Sequence, residues 1–220
     1  MNLKQNNLFN FDRDLNIEFV IGTDEAGRGP ASGGVFASAV YINNPEIEKE
    51  LAKLNDSKKL SAKTREELYD VILNNTINSV VCVEVDEIEK YNILNCSLKA
   101  MKLSCENVIK KIKGFEKEKS LTIVDGNKLI KNYEYPQQFI IKGDSKSASI
   151  ASASILAKVT RDRYMLKLDE EFPQYDWKHN AGYLTPKHQE AILKYGITKY
   201  HRKSFLKKLL NKSKQLSLLD

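Results

Sequence analysis

The chain has 220 residues, 41% of them hydrophobic and 29% charged, with a formal net charge of +6. This suits one domain, or one domain with an appendage, around a real core, and leans weakly toward a polyanionic partner. Its three cysteines, Cys82, Cys96 and Cys105, lack C-x-x-C spacing and argue against zinc or disulfides; no apolar run approaches the roughly 20 residues that span a bilayer, and MNLKQNNLFNFDRD has no hydrophobic signal core, so a cytoplasmic protein is expected.

Residues 18–23 and 34–42 read as strands, and the short link through Pro30 and Ser32-Gly33-Gly34 predicts that they pair as a hairpin. The segment 61–75 reads as a helix, with Ser61 as N-cap and an apolar stripe of Leu68, Val71 and Ile72. A third strand is expected at 79–86. Ile93, Leu94, Leu98, Met101, Val108 and Ile109 then recur with helical spacing up to about Lys113. Leu121–Val124 is a short strand ending in Asp125-Gly126, and Phe139–Ile141 another ending in Lys142-Gly143-Asp144. A long helix follows over 147–171, its first half rich in the Ala and Ser that allow close approach to a neighbour. The order predicts an α/β fold whose mixed sheet begins with three antiparallel strands and finishes with parallel ones, flanked by helices.

From Asp176 the character changes. Lys178, Lys187, Lys194, Lys199, Arg202, Lys203, Lys207, Lys208, Lys212 and Lys214 face almost no acids. Thr185-Pro186 opens one short helix, Pro standing at the tolerated first position, and His201 to Asn211 forms another. The division read from sequence is an N-terminal extension at 1–17, a core domain at 18–175, a basic helical appendage at 176–211 and a flexible tail at 212–220.

The chemistry concentrates in Asp24 and Glu25, which stand before Ala26-Gly27-Arg28-Gly29-Pro30. Neighbouring strand residues point to opposite faces, so the two carboxylates are expected to converge where the strand ends and the glycines turn the backbone. Asp125 and Asp144 also lie at strand ends, which converge on one sheet edge in a parallel arrangement. Alone, an Asp-Gly after a strand is ordinarily a turn. Four carboxylates beside a glycine-rich turn point instead to hard divalent cations and a phosphodiester.

These residues also carry a resemblance. Asp24–Gly29, Asp56-Ser57-Lys58-Lys59-Leu60, Asn92-Ile93-Leu94, Val124-Asp125-Gly126-Asn127, Lys142-Gly143-Asp144, Ala153–Asp162, Gly182-Tyr183 with Thr185 and His188, and His201-Arg202 with Ser204-Phe205 run in family order across about residues 20–205. The chain resembles the bacterial ribonuclease HII, or type 2 ribonuclease H, family. The resemblance implies a ribonuclease H-like fold and a metal-dependent endoribonuclease. It would hydrolyse RNA in RNA/DNA hybrids and cut 5′ of single ribonucleotides in duplex DNA, leaving 3′-hydroxyl and 5′-phosphate ends. It further implies that Asp24, Glu25, Asp125 and Asp144 are catalytic and hold two Mg²⁺ or Mn²⁺ ions, and that Asp162 is a supporting residue.

A lone ribonucleotide differs from its neighbours by one 2′-hydroxyl, which both donates and accepts hydrogen bonds. The resemblance implies that Gly27, Arg28 and Gly29 contact that hydroxyl and nearby phosphates, and that Tyr183 packs on the following sugar. Ala181 departs from the lysine common in the family. Lys58 and Lys59, with Lys142, Lys158 and the basic C-terminal helices, are candidates for phosphate contacts that position a duplex without reading its sequence. For His188 and His201 a packing or capping role is expected. Gln215, Leu216, Leu218 and Leu219 resemble a sliding-clamp-binding peptide. A monomer is the default. Two alternatives stay open: a non-catalytic nucleic-acid-binding module, and a ribonuclease H-fold nuclease with another substrate, such as a type HIII enzyme or a DNA-junction resolvase. The type HIII reading is disfavoured because the first core strand starts near residue 18.

Overall fold

The structure is a computed structural model that describes residues 7–216, with side chains described over 8–211 apart from positions 45 and 58. Its centre is one five-stranded sheet in the order β3-β2-β1-β4-β5. The strands are β1 (Phe19–Ala26), β2 (Val35–Tyr41), β3 (Ile77–Val83), β4 (Ser120–Asp125) and β5 (Gln137–Ile140). The first three pair antiparallel, whereas β4 runs parallel to β1 and β5 parallel to β4. The expected mixed sheet is therefore present, and its parallel half carries Asp125 to the end of the strand beside β1.

The alternating strand pattern divides the core in two. Ile21, Val35, Ala37 and Ala39 pack with Met101, Cys105 and Val108 of α4 (Ile93–Ile109). On the other face Val40 packs with Ile155, Leu156 and Val159 of α5 (Ala148–Glu171), beneath α2 (Ala62–Asn75). The small residues of α5 matter at its crossing with β1. A Cβ on Gly22 would stand 2.3 Å from the Ser149 carbonyl carbon, so any side chain there must push the helix off the sheet, an overpacking that costs roughly 1–3 kcal/mol.

Helix starts follow local chemistry. The Ser61 hydroxyl accepts from the Thr64 N–H, Ser147 from the Ile150 N–H, and Thr185 from the His188 N–H at the start of α7 (Pro186–Tyr195). These bonds satisfy donors that the first helical turn leaves unpaired.

Several boundaries differ from expectation. The third strand stops at Val83, and a helix not anticipated, α3 (Val85–Tyr91), begins where Asp86 and Glu87 place negative charge on a first turn. The helix expected to Lys113 ends at Ile109. Part of the N-terminal extension is ordered as α1 (Asn7–Asp14); its Asp12 carboxylate accepts the Ser149 N–H at 2.8 Å at the start of α5. The last helix, α8 (Lys203–Leu216), begins two residues late, because His201 forms an isolated bridge with Ser32 and Arg202 is turned inward. With α7 and the short α6 (Trp177–Asn180), α8 closes over a third core of Met165, Leu168, Tyr175, Trp177, Ile192 and Leu206. The three cysteines are free. Among the described residues no helix is long and apolar enough to cross a membrane.

Candidate active site

Asp24 and Glu25 do not wait for the strand to end. Both are still paired in the ladder, Asp24 opposite Ser38 and Glu25 opposite Ala37, with β1 continuing to Ala26. Strand alternation holds. The hydroxyl of Ser154 on α5 favours the charged form of Asp24, and that of Ser97 on α4 the charged form of Glu25. The two carboxylates thus belong to opposite faces of the sheet. They share an electrostatic neighbour in Asp125, whose strand leaves β1 after the Thr23–Val124 pair. The expectation that a turn gathers them is corrected: the register of β4 supplies the convergence.

Burial is the largest influence on Asp24, which is only 6% exposed. Burial and the charges of Glu25 and Asp125 push its carboxyl well above the usual carboxylate range; the Ser154 hydroxyl and the Glu25 N–H, 2.7 Å from Oδ1, pull partly back. Burial also raises Glu25, opposed by Arg28, whose Nη1 donates to Oε1 at 3.1 Å. Asp125 is oriented by the Gly143 N–H, which donates to its Oδ1 at 2.6 Å. Asp144 is buried in the 3₁₀ turn Gly143–Ser145, entered through Lys142 in a left-handed conformation at φ 55°. It is one residue from the group that holds Asp125, but it does not line the cavity described next.

A cavity of about 390 Å³ is lined by Asp24, Glu25 and Asp125, the Ala26–Gly29 turn, Ser57, Ser154, Lys158, Arg161 and Tyr183. The two glycines of the turn serve different ends. Gly27 needs its left-handed backbone (φ 99°), and a Cβ there would meet Arg161 Nε at 2.3 Å. Gly29 instead makes room: its absent Cβ would face Tyr183 Cε1 at 3.3 Å, so the aromatic ring lies over the turn while remaining 54% exposed. A separate cavity of about 410 Å³, between α4 and the loop carrying Lys131 and Asn132, contains none of the site residues expected from sequence.

The basic residues separate into distinct situations. Lys158 lines the cavity and pairs with Asp162 one helical turn away; Asp162 thereby steers a cation at the cavity wall. Lys59 is exposed on the 3₁₀ turn Ser57–Lys59 and is not part of the lining, and the Lys58 side chain lies outside the described residues. Arg202 corrects its grouping with the exposed basic residues: it is wholly buried and hydrogen-bonds backbone carbonyls of the 27–34 loop. His188 and His201 are buried in the appendage among Tyr175 and Trp177. Sequence reasoning missed Ser154, Ser97 and Arg161. Only the Ala/Ser character of early α5 signalled the first, and then as a packing device.

The donor set fits a hard divalent cation. Three carboxylates and two serine hydroxyls face one cavity, and the like charges of the acids oppose one another until a cation relieves them. As the side chains stand, no three acids, cysteines or histidines among the described residues are gathered closely enough to enclose an ion.

The architecture is that of the type 2 ribonucleases H. The ribonuclease H2 of Pyrococcus horikoshii superposes with a TM-score of 0.71 at 24% identity, covering 89% of this chain and 99% of that one. The RNase HII of Archaeoglobus fulgidus, solved in complex with PCNA, gives a TM-score of 0.65 at 25% identity, covering 84% and 93%. Bst-RNase HIII, solved in complex with Mn²⁺, gives 0.72 at 18% identity, covering 97% and 73%. At the sequence level, the family model for Ribonuclease HII matches residues 21–208. The Ribonuclease HII of Fusobacterium nucleatum is 49% identical over 199 residues, 90% of each chain, and that of Rickettsia akari 45% over 198 residues, 90% of this chain and 96% of the relative. The chain belongs to the ribonuclease HII family, and is a ribonuclease H enzyme rather than a non-catalytic binding module.

Proposed function

We propose that this ribonuclease H hydrolyses RNA in RNA/DNA hybrids and cuts on the 5′ side of single ribonucleotides embedded in duplex DNA. The observation that carries this reading is the shared cavity: Asp24, Glu25 and Asp125 face the same space as the Gly27-Arg28-Gly29 turn and Tyr183. Acids suited to cations and groups suited to a sugar and phosphate stand within one small volume.

In this reading Asp24, Glu25, Asp125 and Asp144 hold Mg²⁺ or Mn²⁺. Bound as a pair, such ions lower the pKa of a water and neutralise a leaving oxygen in an in-line displacement. Ser154 and Ser97 keep Asp24 and Glu25 aimed from the two helices. The turn accepts the 2′-hydroxyl through backbone approach, Arg28 meets an adjacent phosphate, and Tyr183 covers the next sugar, where a hydroxyl-free ring packs best against an aromatic face. Lys158, which lines the cavity, holds a flanking phosphate, and Lys58 and Lys59 are further proposed phosphate contacts. The bond cleaved joins the phosphorus on the ribonucleotide's own 5′ side to the preceding 3′-oxygen. The ribonucleotide's 2′-hydroxyl is not placed to attack there, so water supplies the new oxygen and the ends are 3′-hydroxyl and 5′-phosphate.

A labelled duplex with one ribonucleotide tests the reading. With Mg²⁺ or Mn²⁺ the folded protein should yield one product ending immediately 5′ of the ribonucleotide, and EDTA should stop it. Absence of cutting with either ion would sink the proposal.

The A. fulgidus RNase HII complex with PCNA supports a sliding clamp as a partner here too. The tail pattern of Gln215, Leu216, Leu218 and Leu219 is its proposed contact, although the side chains involved lie outside the described residues. Removing residues 215–220 should abolish clamp pull-down and leave cleavage of a short duplex intact. An undiminished pull-down would count against the tail.

A further inference from the structure

We infer that Arg202 is a positioning residue that locks the Gly27-Arg28-Gly29 turn and Tyr183 into one unit and so sets the preference for a lone ribonucleotide over a uniform hybrid. The inference rests on the reading above of that turn and Tyr183 as the recognition elements.

The guanidinium is 0% exposed and reaches five carbonyls of a single loop. Nη2 donates to Gly27 O at 2.7 Å, Gly33 O at 2.7 Å and Gly34 O at 3.1 Å. Nη1 donates to Pro30 O at 2.8 Å and Arg28 O at 3.3 Å, and Nε to Gly33 O at 2.9 Å. A lysine at this position keeps the charge but lacks the planar fork that satisfies several carbonyls at once.

The consequence for recognition follows from peptide geometry. In a planar trans peptide the C=O of one residue and the N–H of the next point in opposite directions. Drawing Gly27 O and Arg28 O toward Arg202 therefore turns the N–H groups of Arg28 and Gly29 away from it, toward the cavity those residues line. The positive charge behind the turn polarises the same peptides in the same sense.

Tyr183 is tied to this assembly through backbone. The Arg202 N–H donates to Ala31 O at 2.8 Å, and the Ala31 N–H to Gly182 O at 2.9 Å. Arg161 closes the circuit, donating to Ala181 O and Ser32 O, each at 3.1 Å. Its Nε also approaches Gly34 O, at 3.4 Å, so the two guanidiniums meet at one carbonyl that Arg202 already holds. Burial, together with the nearby Arg161 charge, lowers the pKa of Arg202 to about 10, which leaves it charged at neutral pH.

A duplex with one ribonucleotide offers a single productive register, so a loosened turn loses it. A uniform hybrid presents a 2′-hydroxyl at every nucleotide of its RNA strand, and many registers remain. The test compares wild type with Arg202→Lys on a single-ribonucleotide duplex and on an RNA/DNA hybrid of the same sequence and length, with thermal melts of both proteins. The expected result is a loss of kcat/KM at least ten times greater on the single-ribonucleotide duplex than on the hybrid, carried by kcat, in a protein still folded at the assay temperature. An equal loss on both substrates, or no loss, would overturn the inference and leave Arg202 with a structural role. If Arg202→Lys melts below the assay temperature, Arg161→Lys loosens the same loop and the same ratio decides. Failure of the wild type to cut the single-ribonucleotide duplex would remove the underlying reading and this inference together; wild-type cutting with an unchanged ratio in the variant removes the inference alone.

Discussion

Asp24→Asn is expected to abolish cleavage and, without divalent cations, to raise the melting temperature. The activity loss should be at least about 10²-fold, as when a group that stabilises transition-state charge is removed. The stability gain comes from the same carboxyl. It is buried beside Glu25 and Asp125, and burial with those charges raises its pKa in the folded state. A folded acid with a raised pKa binds protons more tightly than its unfolded counterpart, so it stabilises the fold as pH falls through that window and penalises it at neutral pH. Asparagine removes the charge and can still accept the Glu25 N–H. A gain of about 1 kcal/mol would move the melting temperature by roughly 2–4 °C in a chain of this size. Mn²⁺ should raise the melting temperature of the wild type by more than that of the variant, since only the wild type has the full charge to neutralise. A variant that melts lower than wild type in EDTA would contradict this account.

Mild acid should destabilise the protein through His201. The hydrogen-bond pattern fixes the tautomers of the buried pair. The Trp177 indole N–H can only donate, at 3.1 Å to His188 Nε2, so the His188 proton sits on Nδ1 and goes to Tyr183 O at 2.9 Å. His201 Nδ1 accepts the Thr198 N–H at 2.9 Å, so its Nε2–H donates to His188 Nε2 at 3.2 Å. Both rings are neutral, and a further proton on His201 would displace an acceptor that Thr198 uses. Burial, together with His188, lowers the His201 pKa to about 4, against an ordinary value of 6.5. The unfolded chain therefore binds the extra proton first. Stability begins to fall as pH drops below 6.5 and the loss is complete near 4, amounting to roughly 2–3 kcal/mol. Asp24 and Glu25 slope the other way, so the informative quantity is the difference between wild type and His201→Gln in urea titrations at pH 7.5, 5.5 and 4.5. The variant should show the flatter profile; parallel profiles would rule His201 out as the source.

Much of the fold was legible because its signals are local. Ser61 and Thr185 announced helix starts through side-chain oxygens, and the Ala/Ser run of α5 announced a close crossing that Gly22 completes. The site was legible as chemistry but not as geometry. The identities of Asp24, Glu25 and Asp125 pointed to cations, yet their convergence depends on where β4 stops pairing with β1, which is a property of two segments about 100 residues apart. Arg202 was illegible for a related reason. In the sequence it stands among lysines that face solvent, and only the carbonyls of a distant glycine-rich loop make it a buried residue. The Val85 helix was missed because the apolar alternation of β3 continues visibly through Val83 and Val85, while the acids of the next turn already belong to a helix.

The clasp between residues 27–34 and 181–202 has a consequence for the order in which function is acquired. A ribosome has delivered Asp24, Glu25, Asp125 and Asp144 by residue 144, and by then also the sheet that carries the first three. The loop beside them still lacks Gly182 and Tyr200, whose carbonyls accept the Ala31 and Gly33 N–H groups, and Arg202, which donates to the loop's own carbonyls. The growing chain thus possesses the acids proposed to hold cations before the groups that fix the turn proposed to recognise the substrate, and Arg202 emerges after both.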